Sequence, residues 1–234
     1  MSYRLGVIIP SSNTTVEREF THLLPKGVSL HFSRLKLKGV TLEELKRMED
    51  KVEEVSSLLA DAKVDLICYA CTTGSLYEGL KHEEEIVKKI QNATNTKAIT
   101  TARSVIEALK TLKVRDICVA TPYSAEINLK VKEFLEDNGF NLLKLKGLGL
   151  VNNIEIGKLE PKISYELAKA SYHKLAQALF ISCTNLRTIE VIAKLERELN
   201  IPVISSNIAT IWMALKNLGM RGVKNYGKLL KDYL

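Results

Sequence analysis

The chain has 234 residues, 46% hydrophobic and 26% charged, with a formal net charge of +7. That length and composition fit a soluble globular protein with one large core or two small ones, and no apolar run approaches the roughly 20 residues that cross a bilayer. The positive charge does not read as a nucleic-acid surface, because lysines alternate with glutamates, as in Lys81-His82-Glu83-Glu84-Glu85, and no stacking aromatic motif or basic tail accompanies them.

The N-terminus, Met1-Ser2-Tyr3-Arg4, leads straight into an apolar run without a signal-peptide layout. With four cysteines and no disulfide-scaffold density, a reducing cytoplasm is the expected setting. Leu5 to Ile9, closed by Pro10, predicts a buried strand, and Ser11 to Thr14 supply cap chemistry for a helix beginning near Val16. Val28 to Lys38 reads as a second strand. Thr41-Leu42-Glu43-Glu44 is a Thr-x-x-Glu capping box opening a helix whose apolar spacing runs to Leu59. Strand runs at Val64–Ala70 and Ala98–Thr100 follow, separated by a helix over about 83–91, with a further helix over 104–112.

The pattern then begins again. Strands are expected at Asp116–Ala120, Asn141–Lys146, Ala178–Ser182 and Pro202–Ser205, with helices over 125–137, 162–173, 189–199 and 208–218. Pro10 matches Pro122 and Cys71 matches Cys183 at one offset, 112. Leu35-Lys36-Leu37-Lys38-Gly39 also resembles Leu143-Lys144-Leu145-Lys146-Gly147, and Ile99-Thr100-Thr101-Ala102 resembles Ile204-Ser205-Ser206-Asn207. Alternating strands and helices in two similar halves predict an α/β fold of two pseudo-symmetric, doubly wound parallel-sheet domains with an interdomain cleft. The expected division is 1–103 plus 207–234 against 104–206.

Cys71 and Cys183 each close an apolar strand run, at the sheet edge where open α/β folds bind ligands. Loop amides and the next helix would favour a thiolate there. A single such cysteine fits a buried small hydrophobe; two in equivalent positions point to facing catalytic thiols. Cys68 and Cys71 also spell Cys-x-x-Cys, but Cys68 lies inside the strand run, and Cys118 reads as core. There is no second Cys-x-x-Cys and the four histidines lack ligand spacing, so no metal is expected, and no Gly-x-Gly-x-x-Gly or Walker A motif points to a nucleotide cofactor. Thr72 and Thr73 could hydrogen-bond a carboxylate or merely cap a helix. Asn13, Tyr123 and Asn152-Asn153 fall in loops at the same edge, as anion-holding donors or as ordinary turn residues.

Five stretches carry a resemblance across the whole chain: Pro10-Ser11-Ser12-Asn13-Thr14-Thr15-Val16-Glu17, Tyr69-Ala70-Cys71, Thr121-Pro122-Tyr123, Asn152-Asn153-Ile154-Glu155-Ile156-Gly157 and Ile181-Ser182-Cys183. Together they resemble the maleate cis–trans isomerase family of the aspartate/glutamate racemase superfamily, to which arylmalonate decarboxylase is related. The resemblance implies a cofactor-free homodimeric enzyme acting on a small dicarboxylic acid. It implies Cys71 as nucleophile, Cys183 as second catalytic cysteine, and Asn13, Tyr123 and Asn153 as carboxylate-holding residues. The stretch from Cys71 to Gly79 also resembles the decarboxylase's dioxyanion loop, with Thr72 and Thr73 in its threonine and serine positions. The decarboxylase has glycine where this chain has Cys71, which argues against decarboxylation. A racemase using both cysteines as acid and base, a thiol redox protein and a non-catalytic acid-binding protein are the other readings.

Overall fold

The computed structural model describes residues 2–221 and 226–234. Its first half runs β1 (Tyr3–Pro10), α1 (Val16–Leu23), β2 (Val28–Leu35), α2 (Leu42–Glu49), α3 (Val52–Asp61), β3 (Leu66–Tyr69), α4 (Thr72–Leu76), α5 (Gly79–Thr94), β4 (Ala98–Thr100) and α6 (Thr101–Thr111). The second half runs β5 (Asp116–Tyr123), α7 (Ala125–Asp137), β6 (Asn141–Leu150), α8 (Asn153–Gly157), α9 (Pro161–Ser171), β7 (Ala178–Ile181), α10 (Ile189–Leu199), β8 (Val203–Ser205), α11 (Ser206–Asn217) and α12 (Lys228–Asp232).

The strands make two four-stranded sheets, ordered β2-β1-β3-β4 and β6-β5-β7-β8, with every pairing parallel. This is the α/β fold expected from the sequence. Crossover helices cover both faces, which is why the central strands are continuous apolar runs rather than alternating ones. In each sheet the chain leaves the first strand to one side and returns on the other. The loops after β1 and β3, and after β5 and β7, therefore part and leave a crevice at the strand ends.

The duplication is visible in the register. Leu5 pairs with Leu66, and Ile117 pairs with Ala178, each 112 positions further on. One apparent echo dissolves. Gly147 pairs with Thr121 inside β6, whereas Gly39 lies beyond the end of β2. Bulges between Ile117 and Cys118 and between Thr121 and Tyr123 lengthen β6, so Leu143–Gly147 is not the structural counterpart of Leu35–Gly39.

Helix boundaries differ where local chemistry intervenes. The apolar stripe from Thr41 to Leu59 is broken at Asp50–Lys51 into α2 and α3. Thr41 accepts from the Glu44 amide as the capping box predicts, but Glu44 reaches past it to the amides of Lys38 and Gly39, at 2.7 and 2.9 Å. Five-residue helices α4 and α8 are too short to leave a periodic signal. Helix α11 packs on α6, α1, β3 and β4 of the first half although it follows directly from β8 of the second. Among the described residues, no helix is long and apolar enough to cross a membrane.

Candidate active site

The strand ends of the two halves meet at one interface, and all seven residues singled out in the sequence lie there, buried. Cys71 follows β3 and is the N-cap of α4, where its sulfur accepts from the Gly74 amide at 3.4 Å. The Thr73 hydroxyl lies 3.9 Å from the same sulfur. Cys183 follows β7 with φ of 151°, a region costly for a residue with a Cβ. Its sulfur accepts from the Asn185 amide at 3.3 Å.

A serine joins the two loops. Ser206, the first residue of α11, accepts from the Cys183 amide at 3.0 Å and from the Thr72 hydroxyl at 2.8 Å. One buried oxygen thus ties the second cysteine's backbone to the first cysteine's neighbour. Asn13 uses its carbonyl oxygen to cap α1, accepting from Thr15 and Val16, and aims its amide nitrogen across the interface at the Thr184 hydroxyl, 3.2 Å away. Asn153 donates to Ser12 at 2.8 Å, and its own carbonyl accepts from Asn185 at 2.6 Å. Tyr123 is buried beside Cys183, whose thiol it helps hold.

Burial dominates the ionisation of both thiols. It pushes Cys71 up to about 12, against the smaller opposing pull of the Gly74 amide and the Thr73 hydroxyl, with the Cys183 charge adding to the rise. Cys183 is raised by burial too, with the Tyr123 phenol and the Asn185 amide pulling down. The sequence suggests a thiolate stabilised by loop amides. In the buried interface the burial of Cys71 outweighs those amides and favours its protonated form. Cys68 is raised by burial alone, and all four cysteines are free.

Several site residues escaped the sequence reading. Glu19 on α1 is fully buried and receives the amides of Thr188 at 2.7 Å and Ile189 at 3.3 Å, plus the Asn207 amide group at 2.6 Å. Burial raises it to about 7 despite those donors. It caps α10 from the opposite half, and Asn207 passes the constraint to the Thr184 carbonyl beside Cys183. The signal was present, since Val16, Glu19, Phe20 and Leu23 share the buried face of α1. Arg34 holds the Asn13 loop by donating to the carbonyls of Ser11 and Asn13 at 2.9 and 3.0 Å. Asn185 adds a third tie, accepting from the Thr14 amide at 2.9 Å.

Away from this interface, a groove of about 610 Å³ is lined by Leu76, Phe134 and four acidic residues, Glu43, Glu78, Glu133 and Asp137. Lys46 and Lys130 also line it, and it touches neither cysteine. Among the described residues, no three His, Cys, Asp or Glu side chains group as metal ligands would.

Comparison with known proteins places this geometry. Residues 5–230 match the family described as arylmalonate decarboxylase. The maleate isomerase of Geobacillus stearothermophilus is 29% identical over 243 residues, covering 97% of each chain. A crystal structure of the maleate isomerase Iso from Pseudomonas putida S16, a cysteine-to-alanine variant with maleate, superposes with a TM-score of 0.95 at 26% identity, covering 100% of this chain and 99% of that one. The Nocardia farcinica maleate cis–trans isomerase, in a cysteine-to-serine variant with a covalently bound succinylcysteine intermediate, gives 0.94 at 26% identity over the whole of both chains. With nearly its full length matched and its whole fold shared, the chain belongs to the arylmalonate decarboxylase family.

Proposed function

We propose that the protein is a cofactor-independent isomerase converting maleate, or a close cis-dicarboxylate, to the trans acid through a covalent adduct on Cys71. The observation that carries this reading is the pair of buried cysteines at equivalent strand ends, joined through Ser206. In this reading the halves 1–103 with 207–234 and 104–206 close on the acid. Asn13, Thr72, Thr73, Tyr123 and Asn153 exchange their present partners for its carboxylate oxygens. Neutral donors suit the task, since they hold an anion without an opposing buried charge.

As the acid enters, the Cys71 thiol gives its proton to water, and the resulting thiolate forms a bond to one alkene carbon while the π electrons move toward the neighbouring carbon and its carboxylate. The surrounding donors stabilise the charge that develops there. The Cys183 thiol gives its proton to that neighbouring carbon, leaving a succinyl thioether with a carbon–carbon single bond. Rotation about that bond, return of the proton to Cys183 and departure of Cys71 release the trans acid. The relative with a covalently bound succinylcysteine intermediate supports a thioether adduct. Two facing thiols would also serve a racemase, with one acid–base group on each face of an α-carbon.

The test is a substrate screen by NMR in deuterated water on the full chain. Maleate turning into fumarate supports isomerisation, and a mass gain equal to the acid on the Cys71 peptide of Cys183→Ser supports the adduct. Exchange of an α-hydrogen without any adduct would favour racemisation. Loss of carbon dioxide from a malonate would favour decarboxylation.

A further inference from the structure

Tyr69 closes β3 two residues before Cys71, and alternation along an extended chain turns both side chains to the same face of the sheet. The tyrosine is fully buried, and its hydroxyl has no hydrogen-bond partner among the described residues. Gly74 shows what the hydroxyl faces. A Cβ built there would lie 2.9 Å from Tyr69 Oη, 3.0 Å from Cys71 Sγ and 2.6 Å from Met48 Cε. The phenol and the thiol therefore border one small space, kept open by the absence of a side chain at position 74.

A buried hydroxyl without an acceptor is costly, and such groups mark places where a partner arrives during function. The sulfur beside it is the atom whose charge must appear for chemistry to start. We propose that Tyr69 is a positioning residue for Cys71: when the sulfur ionises it turns to accept the Tyr69 hydroxyl, which joins the Gly74 amide and the Thr73 hydroxyl in holding the thiolate. This rests on the reading of Cys71 as the nucleophile. No proton changes hands, because the hydroxyl hydrogen stays on Tyr69 and only its hydrogen bond is new. Charge-assisted hydrogen bonds of this kind are about twice as strong as neutral ones.

The surroundings keep the phenol a donor. Burial holds Tyr69 well above the ordinary phenol range, and nearby Cys71, Glu49 and Tyr77 push it the same way. Glu49 on α2 is itself occupied, with Lys89 at 2.6 Å and His82 at 3.1 Å. Cys183 is the titratable group that bears on the sulfur from the other half.

The test is peptide-resolved alkylation of the full chain with iodoacetamide, between about pH 7 and 9, where rate follows thiolate fraction. Cys183 shares the interface and reports access, so the readout is the ratio of Cys71 to Cys183 modification. Tyr69→Phe is expected to lower that ratio about tenfold, equivalent to a rise of about one unit in the Cys71 ionisation. Its melting temperature should hold or rise, since an unpaired buried hydroxyl has gone. Gly74→Ala, which wedges a methyl between phenol and sulfur, should move the ratio in the same direction, and it decides the matter if Tyr69→Phe fails to fold. An unchanged ratio in a folded variant overturns the proposal. So does an unchanged ratio with a raised KM, which would assign the phenol to the substrate. Failure of the wild type to convert maleate would count against the isomerase reading while leaving the ratio readable.

Discussion

The two cysteine loops occupy equivalent strand ends, yet the chain holds them by different means. Cys71 has ordinary extended backbone and runs straight into a helix, so its sulfur rests on that helix's own amide and hydroxyl. Cys183 has a backbone angle that costs of order 1–3 kcal/mol, and no helix follows until Ile189. It is held from outside, by Ser206 on its amide and by the Glu19–Asn207 pair on the residue after it. Duplication supplied two identical positions. Both sulfurs meet a loop amide, but the first loop is otherwise held by its own helix and the second from outside its own loop.

The comparison breaks most completely at the sulfurs. Replacing Cys71 with alanine is expected to cost about 10⁴-fold or more in kcat, because the proposed adduct forms on its sulfur. Cys183→Ser should cost about 10²–10⁴-fold, the usual worth of one acid–base group, and should trap adduct on the Cys71 peptide. Steady-state kinetics with peptide mass analysis reads both; equal losses without adduct would count against separate roles.

The supports come next. Ser206→Ala leaves the Cys183 amide and the Thr72 hydroxyl without their buried acceptor, so about 1–3 kcal/mol of stability should go. The kcat of that variant should fall more than its affinity for the acid, which separates a positioning role from a merely structural one. Urea unfolding and kinetics on the same preparation measure the two effects.

Glu19 sharpens the comparison through pH. Its carboxyl is raised from 4.5 to about 7, so between those values the folded chain keeps a proton that the unfolded chain has released. Stability should therefore fall as pH rises across that window, and Glu19→Gln should flatten that part of the curve. The smallest effect belongs to the first half alone. His82 is raised by the Glu49 contact, and Glu49 is lowered to about 2, mainly by its hydrogen-bonding and ionic neighbours His82 and Lys89 against the cost of burial. The His82 contribution is full below its unfolded value near 6.5 and is lost as pH rises through the raised folded value. The Glu49 contribution is full above 4.5 and is lost as pH falls toward 2. His82→Gln should remove under about 1 kcal/mol and only the alkaline slope, as thermal melts at several pH values would show. His82 pairs with Glu49, at 3.1 Å, only when its ring is protonated, so its contribution is the smallest.

How much of this was legible follows from what each feature depends on. Buried parallel strands write themselves as continuous apolar runs, so both sheets and their 112-residue repeat could be read directly. The cysteines, Asn13, Tyr123 and Asn153 follow from the strand-end rule joined to a family resemblance. Ser206 reads only as a polar helix start, because its value comes from α11 crossing between halves, which no local pattern encodes. Asn185 is hidden for the same reason, since its partners Thr14 and Asn153 are distant in sequence. Glu19 was legible and overlooked: a carboxylate on an apolar stripe announces a buried partner. The Leu-Lys-Leu-Lys-Gly echo misled because composition repeats more easily than register.

The crossing of α11 also has a consequence for biosynthesis. Its apolar face, with Trp212 anchored to the Tyr233 carbonyl at 3.0 Å, completes the helical layer beside β3 and β4. A nascent chain holding only the first half would therefore present those positions uncovered for as long as the second half takes to emerge. Residues synthesised after the second half's last strand thus complete the helical layer of the first half. A ribosome-bound first half should accordingly resist proteases poorly until α11 is released, and supplying α11 as a separate peptide to that truncated chain should restore part of the protection.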